Sequence, residues 1–288
     1  MKTWKQLLML LLALLLCLPV LAEETEEVEE DWLFMDMSGE TLVTYDDVPW
    51  SFPVDVSDMD PELVIMINKS MFLAKEYVPD DLVKMKSLKL DKEGNNTNGG
   101  VRQVDDTWQL QRECAAALVE LCDAARQAGH ELYLKSGYRS YYKQAVMYEN
   151  RIKKYGYDDG WVTKPGASDH QTGLGCDVVP KKWTDRGMNE DMAQEPETQW
   201  MAEHCAEFGF ILRYPADQED ITKINYEPWH LRYVGKEVAA YIMDNGLCLE
   251  EFYDQLMAAI DEFIAAGGQR SLVEDFIQES AKDHYSRY

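Results

Sequence analysis

Basic residues are scarce in this sequence. It has 28 lysines and arginines against 53 aspartates and glutamates, which gives a formal charge of −25 at neutral pH. Nucleic acids and anionic lipid surfaces are bound through basic patches. The composition therefore argues against nucleic acid and against an anionic membrane surface as partners, although it leaves room for a polymer of mixed charge.

Cysteines are few, and their number is odd once the amino-terminal segment is set aside. Six are present, and Cys17 lies in an apolar amino-terminal segment, which leaves five for the rest of the chain. An odd number of cysteines cannot all pair within one chain. Cys114 and Cys122 fall about 12 Å apart along one predicted helix, too far to bridge each other. The sequence therefore predicts buried thiols and no disulfide framework.

The apolar run near the amino terminus is short for a membrane span. Lys2 and Lys5 precede it, the run itself covers residues 7–18, and small residues lead to Ala22. This order is typical of a secretory signal peptide over residues 1–22, with an uncleaved anchor as the alternative. We therefore expect the protein to act outside the cytoplasm and to meet a membrane only through such an anchor. Residues 23–62 are interpreted as an acidic linker and amino-terminal extension.

The rest of the chain alternates between helical and extended patterns. Residues 107–127 have helical periodicity with Thr107 as the predicted cap, and residues 131–136 alternate as a strand does. Ser140 is expected to cap a second helix that ends near residue 155. Residues 182–196 are predicted to form a polar surface loop, long enough to reshape the rim of a neighbouring cleft.

Histidines are also few, and two of the five differ from the others in their surroundings. The other three lie in or near predicted helices and are interpreted as ordinary surface or core residues: His130, His204 and His284. His170 and His230 each lie in an irregular, glycine- or proline-containing segment beside carboxylates. Two imidazoles and one carboxylate would fill three positions of a catalytic zinc and leave the fourth open. A remaining carboxylate could then act as the base on a water molecule.

Four segments carry recognisable motifs: Ser136-Gly137-Tyr138-Arg139-Ser140 with Gln144, Ser168-x-His170-x-x-Gly173-x-x-x-Asp177, residues 209–215 and residues 227–235. In this order they resemble the signature motifs of the VanY-type D-alanyl-D-alanine carboxypeptidases. The resemblance covers residues 63–252 and implies one zinc carboxypeptidase domain there. The implied fold is α+β, a small antiparallel sheet flanked by helices. Residues 253–288 would add a carboxy-terminal helical extension.

The resemblance also implies roles for individual residues. One zinc ion per chain would be held by His170, Asp177 and His230, and Glu227 would be the catalytic carboxylate. Arg139 would engage a substrate carboxylate or carbonyl oxygen. Two further residues match lesser substrate contacts: Gln144 and Ser168.

The sequence departs from the family pattern at two positions. Asp169 stands where the family usually has glutamate, and Cys176 precedes the presumed ligand Asp177. Because neighbouring residues on a strand face opposite sides, we expect the Cys176 thiol to point away from the metal.

The leading hypothesis is removal of the terminal D-alanine from peptidoglycan stem peptides. An LD-carboxypeptidase acting on the stem tetrapeptide is the nearest alternative, followed by an endopeptidase. A non-catalytic wall-binding domain is the alternative from another class, and the presence of Glu227 argues against it, because a structural zinc site does not need that carboxylate.

Overall fold

A computed structural model describes residues 43–45 and 47–281, with side chains up to residue 277. The predicted signal peptide lies outside these residues. The strands, in chain order, are β1 (Thr44–Tyr45), β2 (Val48–Pro49), β3 (Leu82–Lys84), β4 (Arg102–Gln103), β5 (Gln109–Gln111), β6 (Leu132–Ser136), β7 (Gly175–Pro180), β8 (Phe210–Leu212) and β9 (His230–Tyr233). The α-helices are α1 (Arg112–Gln127), α2 (Tyr141–Tyr155), α3 (Pro196–His204), α4 (Glu219–Thr222), α5 (Lys236–Asp244), α6 (Leu249–Ala265) and α7 (Arg270–Ala281).

A five-stranded sheet in the order β4-β6-β7-β9-β8 lies at the centre of the described chain. Its pairs are antiparallel except for β4 and β6, which run parallel. The α+β prediction, a small antiparallel sheet flanked by helices with extra carboxy-terminal helices, is confirmed. The register places Asp177 of β7 opposite His230 of β9 on one side and opposite Ser136 of β6 on the other. The sheet therefore brings together residues that are far apart in sequence.

Helix α1 begins later than its periodicity predicts. Residues 109–111 pair as strand β5 with β3, so the prediction that Thr107 caps the helix is wrong. The first helical residue is Arg112, whose backbone N–H donates to Asp81 Oδ2 at 3.1 Å. The extended backbone is preferred before Arg112 because it gains a ladder of hydrogen bonds with β3. The predicted apolar face is nonetheless buried, including Leu118 and Leu121.

Two large hydrophobic cores pack on the central sheet, beside a smaller cluster that includes Val179 of β7. The first lies between α1 and the sheet and includes Leu118, Leu134 and Val178. The second joins residues 50–66 to α5, α6 and α7, with Trp50 packed edge-on against Phe263 at 5.7 Å between ring centroids. This second core includes residues from both sides of the predicted domain boundaries at residues 62 and 252, which stay predictions.

A buried ion-pair network links the sheet to α6. Arg213 Nε lies 2.7 Å from Asp169 Oδ2, and the two terminal nitrogens of Arg213 each donate to Glu250 at 2.8 Å. Arg232 donates to Asp169 Oδ1 at 2.6 Å and to the carbonyl oxygen of Ile65 at 2.8 Å. Asp169, the departure from the family pattern, thus faces two arginines inside the protein.

The Glu250 carboxylate is held ionised by this network. Burial alone raises the pKa of Glu250, but the facing Arg213 guanidinium outweighs it and holds that pKa below its ordinary value. A carboxyl group whose pKa is lowered by folding contributes stability above its unfolded pKa and loses that contribution as the pH falls through its folded pKa. The network should therefore stabilise the protein at neutral pH and weaken in acid.

Removal of the Glu250 carboxylate measures how much this network contributes to the stability of the fold. We expect Glu250→Ala to lower the free energy of unfolding by about 3 kcal/mol at pH 7, because it removes one of the two carboxylates that face the buried Arg213 charge and leaves only Asp169, which Arg213 shares with Arg232. Urea unfolding followed by circular dichroism measures this loss. Glu237→Ala, an exposed change on α5, should alter stability by about 0.5 kcal/mol or less. Equal effects of the two substitutions would contradict the prediction.

The five described cysteines are buried free thiols, as predicted. Burial raises the pKa of Cys122 and of Cys205 to about 12, which keeps both protonated and unreactive. Cys176 lies in the first core beside Cys114, on the face of β7 opposite to Asp177. The prediction that its thiol points away from the metal ligands agrees with this placement.

Residues 182–196 are more ordered than a surface loop. The segment holds two 3-10 turns, Lys181–Trp183 and Glu190–Gln194, and buries Trp183 and Met192 against Trp229. Lys135 Nζ on β6 donates to the carbonyl oxygen of Trp183 at 2.6 Å, which ties the segment to the sheet. The prediction of a surface loop is therefore wrong for these buried side chains, while the position at the rim of a cleft agrees with the prediction.

Candidate active site

The residues predicted to form the site lie in a cleft of about 530 Å³ beside the central sheet. All seven site residues predicted from the sequence line this cleft: Arg139, Gln144, Ser168, His170, Asp177, Glu227 and His230. They come from the connection between β6 and α2, from α2 itself, from the segments before β7 and β9, and from β7 and β9. The sheet and two adjoining turns therefore bring all of the predicted residues to one place.

A tight 3-10 turn, Asp169–Thr172, carries His170 into the cleft. The turn ends at Gly173, which has a φ of +72°, and a Cβ atom there would lie 2.8 Å from Leu82 Cδ2. Only glycine fits this backbone without strain and without a steric clash. The glycine in the motif thus fixes where the His170 ring lies.

The distances between the donor atoms suit a metal ion. His170 Nε2 lies 3.4 Å from Asp177 Oδ1, and His230 Nδ1 lies 3.1 Å from the same oxygen. Ligands about 2.0–2.2 Å from a tetrahedral zinc lie roughly 3.3 Å from one another. One donor atom from each of the three residues falls within a group whose members are all within 4.8 Å of one another. The donor set and its spacing therefore fit zinc.

The surroundings of His170 suit a metal ligand. Its Nδ1 lies 2.7 Å from the carbonyl oxygen of Gly137, which can only accept, so Nδ1 carries the proton and the Nε2 lone pair faces Asp177. Such a contact to the second ring nitrogen is usual for histidines that bind metals. Burial, together with the nearby Arg139 cation, lowers the pKa of His170 to about 4. The imidazole is therefore neutral at pH 7, as a metal ligand must be.

Asp177 lies between the two imidazole rings. Burial alone raises its pKa, but contacts with His170 and then with His230 outweigh burial and hold the pKa well below the ordinary aspartate value. The carboxylate is therefore ionised, and its Oδ1 atom lies close to one nitrogen of each imidazole ring.

Glu227 stands beside the three presumed ligands. Its Oε2 lies 3.5 Å from His230 Nδ1, and its backbone N–H donates to the Tyr214 carbonyl oxygen at 3.1 Å. Burial first, and then the nearby negative charge of Asp177, raise the pKa of Glu227 well above its ordinary value, although Arg139 opposes the shift. A carboxylate with a raised pKa beside a metal site is well suited to accept and return a proton.

Arg139 is held in one orientation at the other side of the cleft. One terminal nitrogen donates to Gln144 Oε1 at 2.7 Å, and the other donates to Ser136 Oγ at 3.3 Å and lies 3.9 Å from Asp177 Oδ2. Gln144 Nε2 in turn donates to the Thr163 carbonyl oxygen at 2.8 Å. Both ends of the Gln144 amide thus serve to orient Arg139, and a direct contact of Gln144 with substrate stays a prediction.

Several residues that line the cleft had no role in the sequence-based prediction. The Tyr214 ring lies 5.0 Å from that of His230, and Trp161 stacks on Trp229 at 6.0 Å. Met188 and Asn189 reach the cleft from the segment over residues 181–195. Tyr214 lies within the motif over residues 209–215, so the sequence could have identified it as a residue of the site. Trp161, Met188 and Asn189 lie outside the recognised motifs, and their position depends on tertiary packing.

Comparisons with known proteins agree with this geometry. The family model for VanY, described as D-alanyl-D-alanine carboxypeptidase, matches residues 107–236. YodJ of Bacillus subtilis (strain 168), which carries the name of a carboxypeptidase, is 38% identical over 200 residues, covering 68% of this chain and 69% of YodJ.

Two solved structures are similar as well. The LdcB LD-carboxypeptidase, described in terms of peptidoglycan recognition, has a TM-score of 0.56 and 34% identity, covering 75% of this chain and 94% of its own. A vancomycin-resistance D,D-pentapeptidase VanY from a VanB-type cassette, in complex with Zn(II), has a TM-score of 0.50 and 30% identity. The similarity covers 66% of this chain and 98% of the VanY chain. The second similarity links this fold to a protein that binds zinc.

Proposed function

Because the chain belongs to the VanY family of D-alanyl-D-alanine carboxypeptidases, we propose that it removes the terminal D-alanine from peptidoglycan stem peptides with one zinc ion. The observation that carries this proposal is the convergence of His170, Asp177 and His230 with Glu227 and Arg139 in one cleft. A site that only stabilised the fold would not need a buried carboxylate and a buried guanidinium beside the ligands. This supports an enzyme over a wall-binding domain.

Three residues would hold the metal. In this proposal His170 binds through Nε2, His230 through Nδ1 and Asp177 through a carboxylate oxygen, in line with the distances among these atoms. When bound, zinc supplies Lewis-acid chemistry that polarises a carbonyl group and makes water more acidic. Gly137 keeps the proton on the far nitrogen of His170, so that the near nitrogen is free to bind.

Glu227 would move the proton. It accepts a proton from the water that attacks the scissile carbonyl and returns it to the amine of the departing D-alanine. Its burial removes competing solvent, and its place next to His230 keeps the carboxylate beside the reacting atoms.

Arg139 would bind the substrate. A planar guanidinium pairs with a carboxylate through two parallel hydrogen bonds, which suits an enzyme that must recognise a free carboxy terminus. It could equally stabilise the negative charge that develops on the carbonyl oxygen. Ser168, buried at the cleft wall, is proposed as a further substrate contact together with Gln144.

A second substrate is kept as an alternative. LdcB is named an LD-carboxypeptidase, and the present chain is similar to it over most of LdcB's length. The same residues would then cleave the stem tetrapeptide. In either case we propose that the protein works outside the cytoplasm, after cleavage near Ala22 or held by an uncleaved anchor, and does not bind nucleic acid. No helix within the described ranges combines the length and apolar character needed to cross a bilayer.

Release of D-alanine tests this proposal directly. Purified protein should release D-alanine from a stem pentapeptide, a chelator should abolish release, and added zinc should restore it. The stem tetrapeptide, assayed in parallel, separates the alternatives: cleavage of the tetrapeptide alone would replace the DD assignment by the LD one. No release from either peptide by zinc-loaded protein would contradict the proposed function.

A further inference from the structure

Helix α2 is unusually exposed for a helix of its length. Of its 15 residues only Gln144 is buried, whereas α1 buries seven of its 16. A helix in a globular protein normally buries an apolar stripe. Nine of the 15 residues of α2 are exposed and five are half-buried, so much of the helix is open to solvent.

The outer face of α2 is apolar as well as exposed. Tyr142 and Val146, one helical turn apart, are 64% and 59% exposed. Five of the 11 large hydrophobic side chains that are exposed in the described chain fall within residues 142–157. Scattered exposed hydrophobics are ordinary, but clustered ones mark interaction sites.

The same helix is basic in an acidic protein. It carries one acidic residue, Glu149, and four basic residues: Lys143, Arg151, Lys153 and Lys154. Arg151 pairs with Asp159 at 2.6 Å and Lys153 lies 3.7 Å from Glu149, so Lys143 and Lys154 supply most of the net positive charge. The chain as a whole has 53 acidic residues against 28 basic ones. Residues 181–195, which form another rim of the cleft, hold four acidic and three basic residues. A negatively charged group that leaves the cleft would therefore meet more positive charge along α2 than along residues 181–195.

Two grooves border α2. Lys143, Met147 and Arg151, each one turn apart, face the catalytic cleft. On its other flank α2 borders a second groove of about 580 Å³, where its residues meet Lys69, Phe72 and Lys164 among others. Residues 162–165 run from the wall of the first groove to the wall of the second. The helix is thus a ridge that is continuous with the catalytic cleft.

We propose that the α2 ridge, defined here as Tyr142, Val146, Lys153 and Lys154 with the second groove, binds the peptidoglycan polymer beyond the stem peptide in the cleft. This inference rests on the proposed function. A stem peptide is attached to its polymer, so the remainder of the substrate must pass over a rim of the cleft. Although the polymer is of mixed charge, its free carboxylates are attracted to basic side chains. The basic, aromatic rim is the complementary one. The ridge makes the enzyme prefer wall polymer over free peptide.

Two double variants test the ridge without touching residues that line the cleft: Tyr142→Ala/Val146→Ala and Lys153→Glu/Lys154→Glu. We expect each to weaken binding to purified pentapeptide-containing sacculi, measured by co-sedimentation, by about tenfold. Release of D-alanine from sacculi should fall in parallel, while kcat/KM for the free pentapeptide changes less than about twofold. Binding by the charge variant should also lose its dependence on salt. The matched controls, Ile221→Ala/Leu272→Ala and Lys89→Glu/Lys236→Glu, alter exposed residues elsewhere and should bind as the unaltered protein does.

The two proposals fail in different ways. Unchanged sacculus binding by both ridge variants, with normal cleavage of free peptide, would overturn the ridge and leave the proposed function intact. A dimer in sedimentation that Tyr142→Ala/Val146→Ala converts to a monomer would also overturn it, since a second copy would then be the occupant. Absence of cleavage of both free peptides by unaltered protein would instead overturn the proposed function.

Discussion

Replacing Glu227 by glutamine will lower kcat for D-alanine release by about 10²–10⁴-fold, the range in which a positioned acid–base group contributes. Glutamine keeps the size of the side chain and its place beside His230 but cannot accept a proton. Because the presumed ligands are unchanged, zinc content should stay at one ion per chain. KM should change little, since the carboxylate acts on the reacting atoms and not on binding.

Steady-state kinetics and elemental analysis of the same preparation measure both quantities. Glu190→Gln, an exposed change at the rim, removes the same charge and should leave kcat unaltered. A Glu227→Gln protein that retains zinc and full activity would disprove the proton-transfer role. Loss of zinc together with activity would show that Glu227 maintains the metal site.

Replacing Arg139 by lysine should lower kcat/KM by about 10²–10³-fold, as for removal of one donor that stabilises developing charge. Lysine keeps the charge but presents it as a point on a flexible stem. It cannot reproduce the fork that Gln144 and Ser136 hold in place at 2.7 and 3.3 Å. Arg102→Lys, in a partly exposed ion pair with Glu131, is the matched control and should have no effect on catalysis.

A substrate with an amidated carboxy terminus separates the two roles open to Arg139. If the guanidinium binds the terminal carboxylate, amidation of the substrate should lower kcat/KM of the unaltered enzyme greatly. The Arg139→Lys enzyme should then cleave the amidated substrate almost as well as the unaltered enzyme does. If it stabilises the developing oxyanion, the substitution should lower kcat equally for both substrates. A loss below about threefold on the ordinary substrate would contradict both roles.

The sequence was sufficient to predict seven of the residues that line the cleft, because they lie in recognisable motifs that strand register and tight turns bring together. Asp177 and His230 lie opposite each other by strand register, and Gly173 permits the turn that presents His170. Ser140 accepts a hydrogen bond from the Lys143 backbone N–H at the start of α2, as its type predicts. Motif and local conformation agree at these positions.

Contacts between segments that are far apart in the sequence could not be predicted from motifs or local conformation. Nothing in the neighbourhood of Thr107 reveals that residues 109–111 will pair with β3 in place of helix. The contact of Arg213 with Glu250, and the burial of Trp183 against Trp229, likewise depend on segments that meet only in the folded chain. Sequence periodicity reports which face is apolar, and it does not report which distant segment will cover that face.

The second core has a consequence for the order in which the protein matures. Ser51 Oγ donates to Glu262 Oε2 from 211 positions away, and Trp50 contacts Phe263. At about 5–20 residues per second of synthesis, the early segment waits roughly 10–40 s for its partner. Glu250, the partner of Arg213, lies in the same late helix and is synthesised shortly before Glu262. A nascent chain can therefore contain every proposed zinc ligand before the framework that holds them is complete, so activity should appear only once α6 has been made.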